Sequence, residues 1–140
     1  LEQYKLCPHR FYPLGLYKRK VKYNYFLLYI VSNYIDYVDC AKTSFIEYNI
    51  ASGKKFGDVF IKSKDELFQK RDEIKKEKGY TQTIWGNRIV MNDQFDSELD
   101  FFTITRIDGR QYMSERLKNA IEANGLTGWV FTPATNLVVE

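Results

Sequence analysis

Four carboxylates lie close together in NDQFDSELD, positions 92–100, and form the densest group of potential metal ligands or proton carriers in the chain. A calcium loop uses such groups, but it needs a fixed order of acids and a glycine at its sharp turn, and this stretch has neither. Its polar composition is typical of a solvated loop. We therefore predict no metal site, and we note that the acids surround an aromatic residue, Phe95.

Catalytic groups are sparse elsewhere. The chain has one histidine, His9, and its closeness to Cys7 in sequence is not the geometry of a catalytic dyad. The spacings of serine hydrolases, zinc proteases, dinucleotide-binding sites and phosphate loops are absent. An acid pair for sugar hydrolysis, drawn from Asp36, Asp39 or the loop 93–100, is left open. Turn hydrogen bonding is the interpretation that the setting of the two aspartates favours. We predict a protein that is not an enzyme and has no cofactor.

Basic and aromatic residues alternate near the start of the chain. The formal net charge is only +3, which by itself predicts no nucleic-acid partner. The basic cluster consists of Arg10, Lys18, Arg19, Lys20 and Lys22, and the tyrosines between them are Tyr12, Tyr17, Tyr23 and Tyr25. Solvated faces are the ordinary interpretation of such a cluster. A surface on which nucleic-acid bases stack is the alternative that remains open.

The number of cysteines and the length of the apolar runs indicate the cellular compartment in which we expect the protein. Cys7 and Cys40 are too few for a disulfide framework, so we expect free thiols in a reducing environment. The longest apolar run, 25–31, is far too short to span a bilayer, and no signal peptide opens the chain. We expect a soluble cytoplasmic protein without a membrane partner. The first residue is Leu1, which leaves open a longer natural N-terminus.

The length of the chain and the order of its predicted helices and strands indicate one α+β domain over positions 1–140. We expect a mainly antiparallel sheet with two principal helices packed on it. Two prolines predict an irregular N-terminal arm over 1–15. Strand composition predicts strands over 23–31, 45–50, 56–61, 80–91 and 99–107. The run FLLYIV in the first of these is apolar on both faces, as in a covered central strand, and its period alone leaves a buried helix as the alternative. Gly86 and Asn87 predict a hairpin turn or a bulge within the fourth.

Two helices have clear start and stop signals. Ser63 and Glu66 form a capping box that predicts a helix over 64–78, ended by Gly79. Ser114 begins a second helix, and Leu117, Ala120 and Ile121 recur on its buried face. Asn124 and Gly125 end that helix in a left-handed cap. A short strand over 129–131 is expected to follow, ended by Pro133.

Two stretches resemble the Imm11-type (DUF1629-like) immunity proteins of bacterial polymorphic toxin systems. SERLKNAIEANGLTGWVFTP, residues 114–133, is similar to the C-terminal signature of that family, and the best-matched block is 100–131. YFLLYIVSNYIDYVDCAKTSF, residues 25–45, is similar to a second segment, in which Asp36, Asp39 and Ser44 hold the matching positions. The resemblance implies a non-enzymatic protein that binds and neutralises a cognate toxin. The middle of the chain, 51–92, carries no such likeness.

A toxin-binding surface is predicted at the acidic loop, because an aromatic anchor ringed by charge is typical of an interface hot spot. Its carboxylates would steer a basic partner, and Phe95 would supply apolar burial. The predicted contact residues are Trp85, Asp93, Phe95, Asp96, Glu98 and Asp100. The alternative is a plain surface loop with Phe95 tucked inward.

Overall fold

This computed structural model describes residues 3–31 and 33–139. They contain eight strands, two α-helices and one short 3-10 helix. In chain order they are β1 (His9–Lys18), β2 (Val21–Ile30), the 3-10 helix (Tyr34–Tyr37), β3 (Ser44–Asn49), β4 (Lys55–Val59), α1 (Lys64–Lys78), β5 (Gln82–Val90), β6 (Phe101–Thr103), β7 (Gln111–Met113), α2 (Glu115–Ala123) and β8 (Leu137–Val138). The predicted α+β class is confirmed.

The strands form three sheets. A four-stranded sheet has the order β4-β3-β5-β8, and β1-β2 and β6-β7 each form a two-stranded sheet. All pairs are antiparallel except β5 with β8, which run parallel. The apolar core lies around β5, whose Ile84 and Ile89 are fully buried, and it includes Leu67 of α1 and Ile121 of α2. Of the β1–β2 hairpin, Ile30 packs against this core.

Helix α1 has the bounds that its sequence signals predict. The Ser63 hydroxyl accepts a hydrogen bond from the Glu66 amide at 3.2 Å and satisfies one free donor of the first turn. The Glu66 carboxylate accepts from the amide of Lys62 at 2.7 Å, one residue before the cap rather than at the cap itself. Gly79 ends the helix with a φ of 89°, a conformation that costs glycine little.

Helix α2 also begins and ends as predicted. Ser114 caps its first turn by accepting from the Leu117 amide at 3.1 Å. At the other end the amide of Leu126 donates to the Ile121 carbonyl at 3.1 Å, and that of Gly125 donates to the Glu122 carbonyl at 3.0 Å. These two bonds are the Schellman cap that the glycine predicted.

The break in β5 is a bulge. Phe45 lies opposite Gly86, but the preceding Ser44 lies opposite Arg88, so Asn87 is the extra residue. A Cβ atom at Gly86 would come within 2.7 Å of Ile89 Cγ1, which is closer than side chains allow. Glycine is therefore required where the bulge closes onto the core.

The N-terminal segment differs most from its prediction. Residues 9–15, expected to form part of an irregular arm, belong to β1, which pairs with β2 from His9↔Ile30 to Lys18↔Val21. Pro13 is tolerated because β1 is an edge strand. The apolar strand β2 is not a covered central strand, since Phe26 is 70% exposed and Leu27 51%. Apart from Ile30, which packs against the core, the apolar side chains of β2 are largely uncovered in the described part of the chain.

Two further strands were predicted wrongly in extent or place. The strand expected over 99–107 ends at Thr103, because the chain turns there and Asp108 donates its amide to the Ile104 carbonyl at 3.1 Å. Ile104 and Ile107 are nevertheless fully buried. The expected strand over 129–131 is not regular structure, and a short strand, β8, forms later instead.

Candidate functional site

The acidic loop is a series of turns on the surface, and Lys5 already neutralises part of it. The Lys5 ammonium lies 2.5 Å from an Asp96 carboxylate oxygen and 3.7 Å from one of Glu98. The hydrogen bond from Lys5 lowers the pKa of Asp96. Asp93 and Glu98 are exposed. The loop therefore exposes carboxylates to solvent, but the ion pairs with Lys5 make its net negative charge smaller than the sequence indicates.

Phe95 lies inward, as in the alternative of a plain surface loop. Its ring centroid is 4.9 Å from that of Phe102, 6.0 Å from Tyr34 and 6.4 Å from Tyr37. These edge and tilted contacts place it at the margin of the apolar core. Phe95 is therefore not an exposed aromatic anchor.

Asp100 is a structural residue of the fold. It is 2% exposed, and its carboxylate accepts hydrogen bonds from the Lys5 amide at 2.8 Å, the Ser114 hydroxyl at 2.5 Å and the Arg116 guanidinium. The bonds from Arg116 and then those from Ser114 and Lys5 lower its pKa to about 2, against the opposing effect of burial. Asp100 therefore fastens the N-terminal segment to the start of α2 and offers no free oxygen to a partner.

Trp85 lies elsewhere, on β5. Its ring packs on Tyr48, with centroids 5.5 Å apart, and its edge lies 3.2 Å from where a Cβ of Gly109 would stand. No contact described in the structure joins it to the acidic loop. Of the six predicted contact residues, Asp93, Asp96 and Glu98 remain on one exposed segment.

The other candidate chemical groups have structural roles. Asp39 accepts from the amides of Ala41 and Lys42 at 3.1 and 3.2 Å, which is the turn bonding that its sequence setting favoured. Asp36 pairs with Lys64. Cys7 is buried, and burial raises the pKa of the Cys40 thiol. Over 3–31 and 33–139, no three His, Cys, Asp or Glu side chains are grouped as metal ligands.

The feature that sequence reasoning missed is the pairing of β1 with β2 into a hairpin whose two faces are both exposed. Cross-strand partners share a face, so the register divides the hairpin into two faces. On one face, which we call the tyrosine face, three consecutive pairs each join a tyrosine to a leucine: Tyr12↔Leu27, Leu14↔Tyr25 and Leu16↔Tyr23. All six side chains are 40–51% exposed. The face is a continuous apolar and aromatic ribbon in contact with water.

The opposite face, the phenylalanine face, is also apolar and exposed. It contains the pairs Phe11↔Leu28 and Pro13↔Phe26. Toward the turn it continues through Tyr17, which is 72% exposed and lies opposite Lys22. A hairpin that covered the core would present apolar residues on one side only. This hairpin presents them on both.

The charge of the hairpin is entirely positive. Arg10 lies at its base, and Lys18, Arg19, Lys20 and Lys22 lie at or beside its turn, with no Asp or Glu in positions 9–31. The whole chain has 21 Lys and Arg against 18 Asp and Glu. These five residues therefore account for its net positive charge, since the remaining basic residues are slightly fewer than the acids. Arg19 and Lys20 have φ values of 49° and 69°, the conformation of a tight two-residue turn.

A concave region lies between α2, β7 and the segment 129–136, with a volume of about 840 Å³. Trp129 and Phe131 line it, with their rings nearly parallel and 6.2 Å apart. Tyr112, also in its lining, donates its hydroxyl to buried Asp108 at 2.6 Å, and Asn136 donates to the same oxygen at 3.1 Å. Burial and the bond to Asp108 raise the pKa of Tyr112, so its hydroxyl stays protonated. This network fixes the wall of the cleft.

No family model, no curated protein and no solved structure matches this chain. Among the helices of the described residues, none combines the length and the apolar composition needed to cross a bilayer.

Proposed function

We propose that this chain is an immunity protein that neutralises a cognate bacterial toxin by binding it directly. The observation that carries the proposal is the hairpin β1–β2, which exposes large apolar side chains on both of its faces. Contiguous exposed apolar surface of this kind marks a site of association with another molecule. The resemblance of residues 25–45 and 100–133 to immunity proteins supports a toxin as that molecule.

The energetics of a hairpin support a binding role. An isolated two-stranded hairpin is only marginally stable in water, because neither face is shielded. The side chains of β1 and β2 would gain from burial against a partner, since each Å² of apolar surface removed from water contributes about 25 cal/mol before the costs of association. Tyrosine, phenylalanine and arginine are also the residues that protein interfaces favour.

The acidic segment is proposed as a second contact. Asp93, Asp96 and Glu98 present negative charge on a face without an aromatic anchor. Rim charges of this kind change the rate of association more than the strength of the complex. This contact would meet a basic region of the toxin.

Nucleic-acid binding remains a second candidate, because Tyr12, Tyr23 and Tyr25 share one exposed face beside basic residues. Stacking of bases on such rings is tolerant of sequence. Salt separates the two functions, since nucleic-acid affinity falls steeply with salt in proportion to the phosphates contacted. A protein interface with an apolar centre depends less on salt.

The proposal is tested by co-expressing the chain with the toxin domain encoded by the neighbouring reading frame, in cells that the toxin alone kills. We expect rescue of growth and a one-to-one complex of the purified proteins. A chain that neither binds the domain nor restores growth would overturn the proposed function.

A further inference from the structure

We propose that the hairpin β1–β2 inserts into a cleft of the toxin that has apolar walls and an acidic floor. This inference rests on the proposed function and names the surface of the toxin that the chain occupies. The hairpin would then act as a plug, with its turn at the floor of the cleft and its two faces against opposite walls.

The two-sided exposure argues for a cleft. A flat partner would cover the tyrosine face or the phenylalanine face and leave the other in water. Tyr25 on the first face is 51% exposed and Phe26 on the second is 70% exposed, so both gain from burial. Two walls, one against each face, account for both sets of apolar residues.

The shape of the hairpin fits such a site. Each strand has ten residues, which span roughly 30 Å at about 3.3 Å per residue. The two strands are joined by only two residues, Arg19 and Lys20, so the free end is as narrow as a pair of strands. The structure describes no other segment that combines this length with exposure on two faces.

The distribution of charge identifies the floor. Lys18, Arg19, Lys20 and Lys22 gather at the turn, while the three tyrosine-leucine pairs behind it carry no charge. The part of the partner that meets the turn must therefore be acidic, and the part that meets the shaft must be apolar. Clefts lined by one sign of charge concentrate opposite charges and speed association. A toxin whose active site contains several carboxylates would present such a floor.

Other occupants fit these residues less well. Two copies in the same orientation would bring their basic turns together, and the hairpin supplies no acid to offset the repulsion. Two copies in opposite orientations would bury the uncharged shafts but would leave both basic turns without an acidic partner. A single strand of nucleic acid needs cations along its whole track, whereas a leucine occupies half of each central pair. Insertion into a lipid bilayer would carry the charged turn into the hydrocarbon first.

The first experiment reverses charge at the turn. The variant Lys18→Glu/Lys22→Glu is compared with Lys54→Glu/Lys55→Glu, which makes the same change in net charge where the turn after β3 enters β4. The toxin domain from the neighbouring reading frame is the partner, and association is measured at low and high salt. We expect association at low salt to slow about tenfold or more for the first pair alone, with most of the difference lost at high salt.

The second experiment tests whether the toxin contacts both faces of the hairpin. Tyr25→Ser alters the tyrosine face and Phe26→Ser the phenylalanine face, and Tyr80→Ser is the control because Tyr80 is exposed on a different part of the chain. We expect dissociation to accelerate at least about tenfold for each hairpin variant and to stay unchanged for the control. Circular dichroism and thermal midpoints verify that all variants are folded.

The outcomes separate the two proposals. If the turn pair binds the toxin at wild-type rates, or if only one face matters, the plug is overturned while the immunity function stands. If wild-type protein binds no toxin, the proposed function itself fails. Tight binding of single-stranded oligothymidylate or of phosphatidylglycerol vesicles through the same residues would also overturn the plug, and so would a dimer of defined size that forms through them at low salt.

Discussion

Asp100 joins three parts of the chain through one buried carboxylate, since Lys5, Ser114 and Arg116 all donate to it. An amide in its place has one oxygen and no charge, so it cannot accept from all three. We expect Asp100→Asn to lower the free energy of unfolding by about 1–3 kcal/mol, measured by urea denaturation. Asp93→Asn is the control, because Asp93 is exposed. Equal stabilities of the two variants would refute this role.

The Asp100 carboxylate also makes the free energy of unfolding depend on pH. Its pKa in the folded protein is about 2, below the ordinary value of 3.8, so the folded state binds this proton less readily than the unfolded state. Its contribution to stability is complete above about pH 4 and is lost as the pH falls toward about 2. Urea midpoints measured across that range should fall less steeply for Asp100→Asn than for the wild type. Parallel slopes would contradict the assignment.

Helix α2 is held mainly by its buried side chains. Ile121 is 8% exposed, so Ile121→Ala removes buried methyl groups and leaves a cavity. We expect a loss of about 2–4 kcal/mol in the free energy of unfolding. Leu126→Ala, at the cap of the same helix, is the matched control because Leu126 is 60% exposed. A midpoint unchanged by Ile121→Ala would show that this face does not carry the helix.

The hairpin and the central sheet should differ in local stability. Both faces of β1–β2 are exposed, whereas β5 is an interior strand of the four-stranded sheet, with Ile84 and Ile89 fully buried. Segments with few buried apolar contacts open without global unfolding. We expect hairpin amides to exchange with deuterium well before those of β5 in the free protein. In the toxin complex, hairpin protection should rise.

Over the whole molecule, the sequence predicted those elements whose signals are local. Ser63 and Gly79 mark the ends of α1, and Ser114 and Gly125 mark those of α2, because caps are made by residues a few positions apart. The bulge at Asn87 was also foreseen as one of two alternatives. Local signals therefore predicted the bounds of both helices.

Long-range contacts were beyond such reasoning. The burial of Asp100 depends on Arg116, and the inward position of Phe95 depends on Tyr34 and Phe102, none of which periodicity connects. The apolar run in β2 correctly predicted a strand. Periodicity does not show, however, whether the apolar face of a strand is covered by its own chain or by another molecule. The exposure of both faces of the hairpin was therefore not predicted.

The hairpin also bears on how the protein behaves at high concentration. Each of its strands pairs with one neighbour in the described structure, so each has an unpaired backbone edge beside exposed apolar side chains. This combination promotes edge-to-edge aggregation. Pro13 interrupts one edge, and the like charges of the turn keep copies apart. Salt screens those charges within about 10 Å at 0.1 M. The free protein should therefore become turbid as salt is raised, and its toxin complex should stay clear, because the element that needs a partner would already have one.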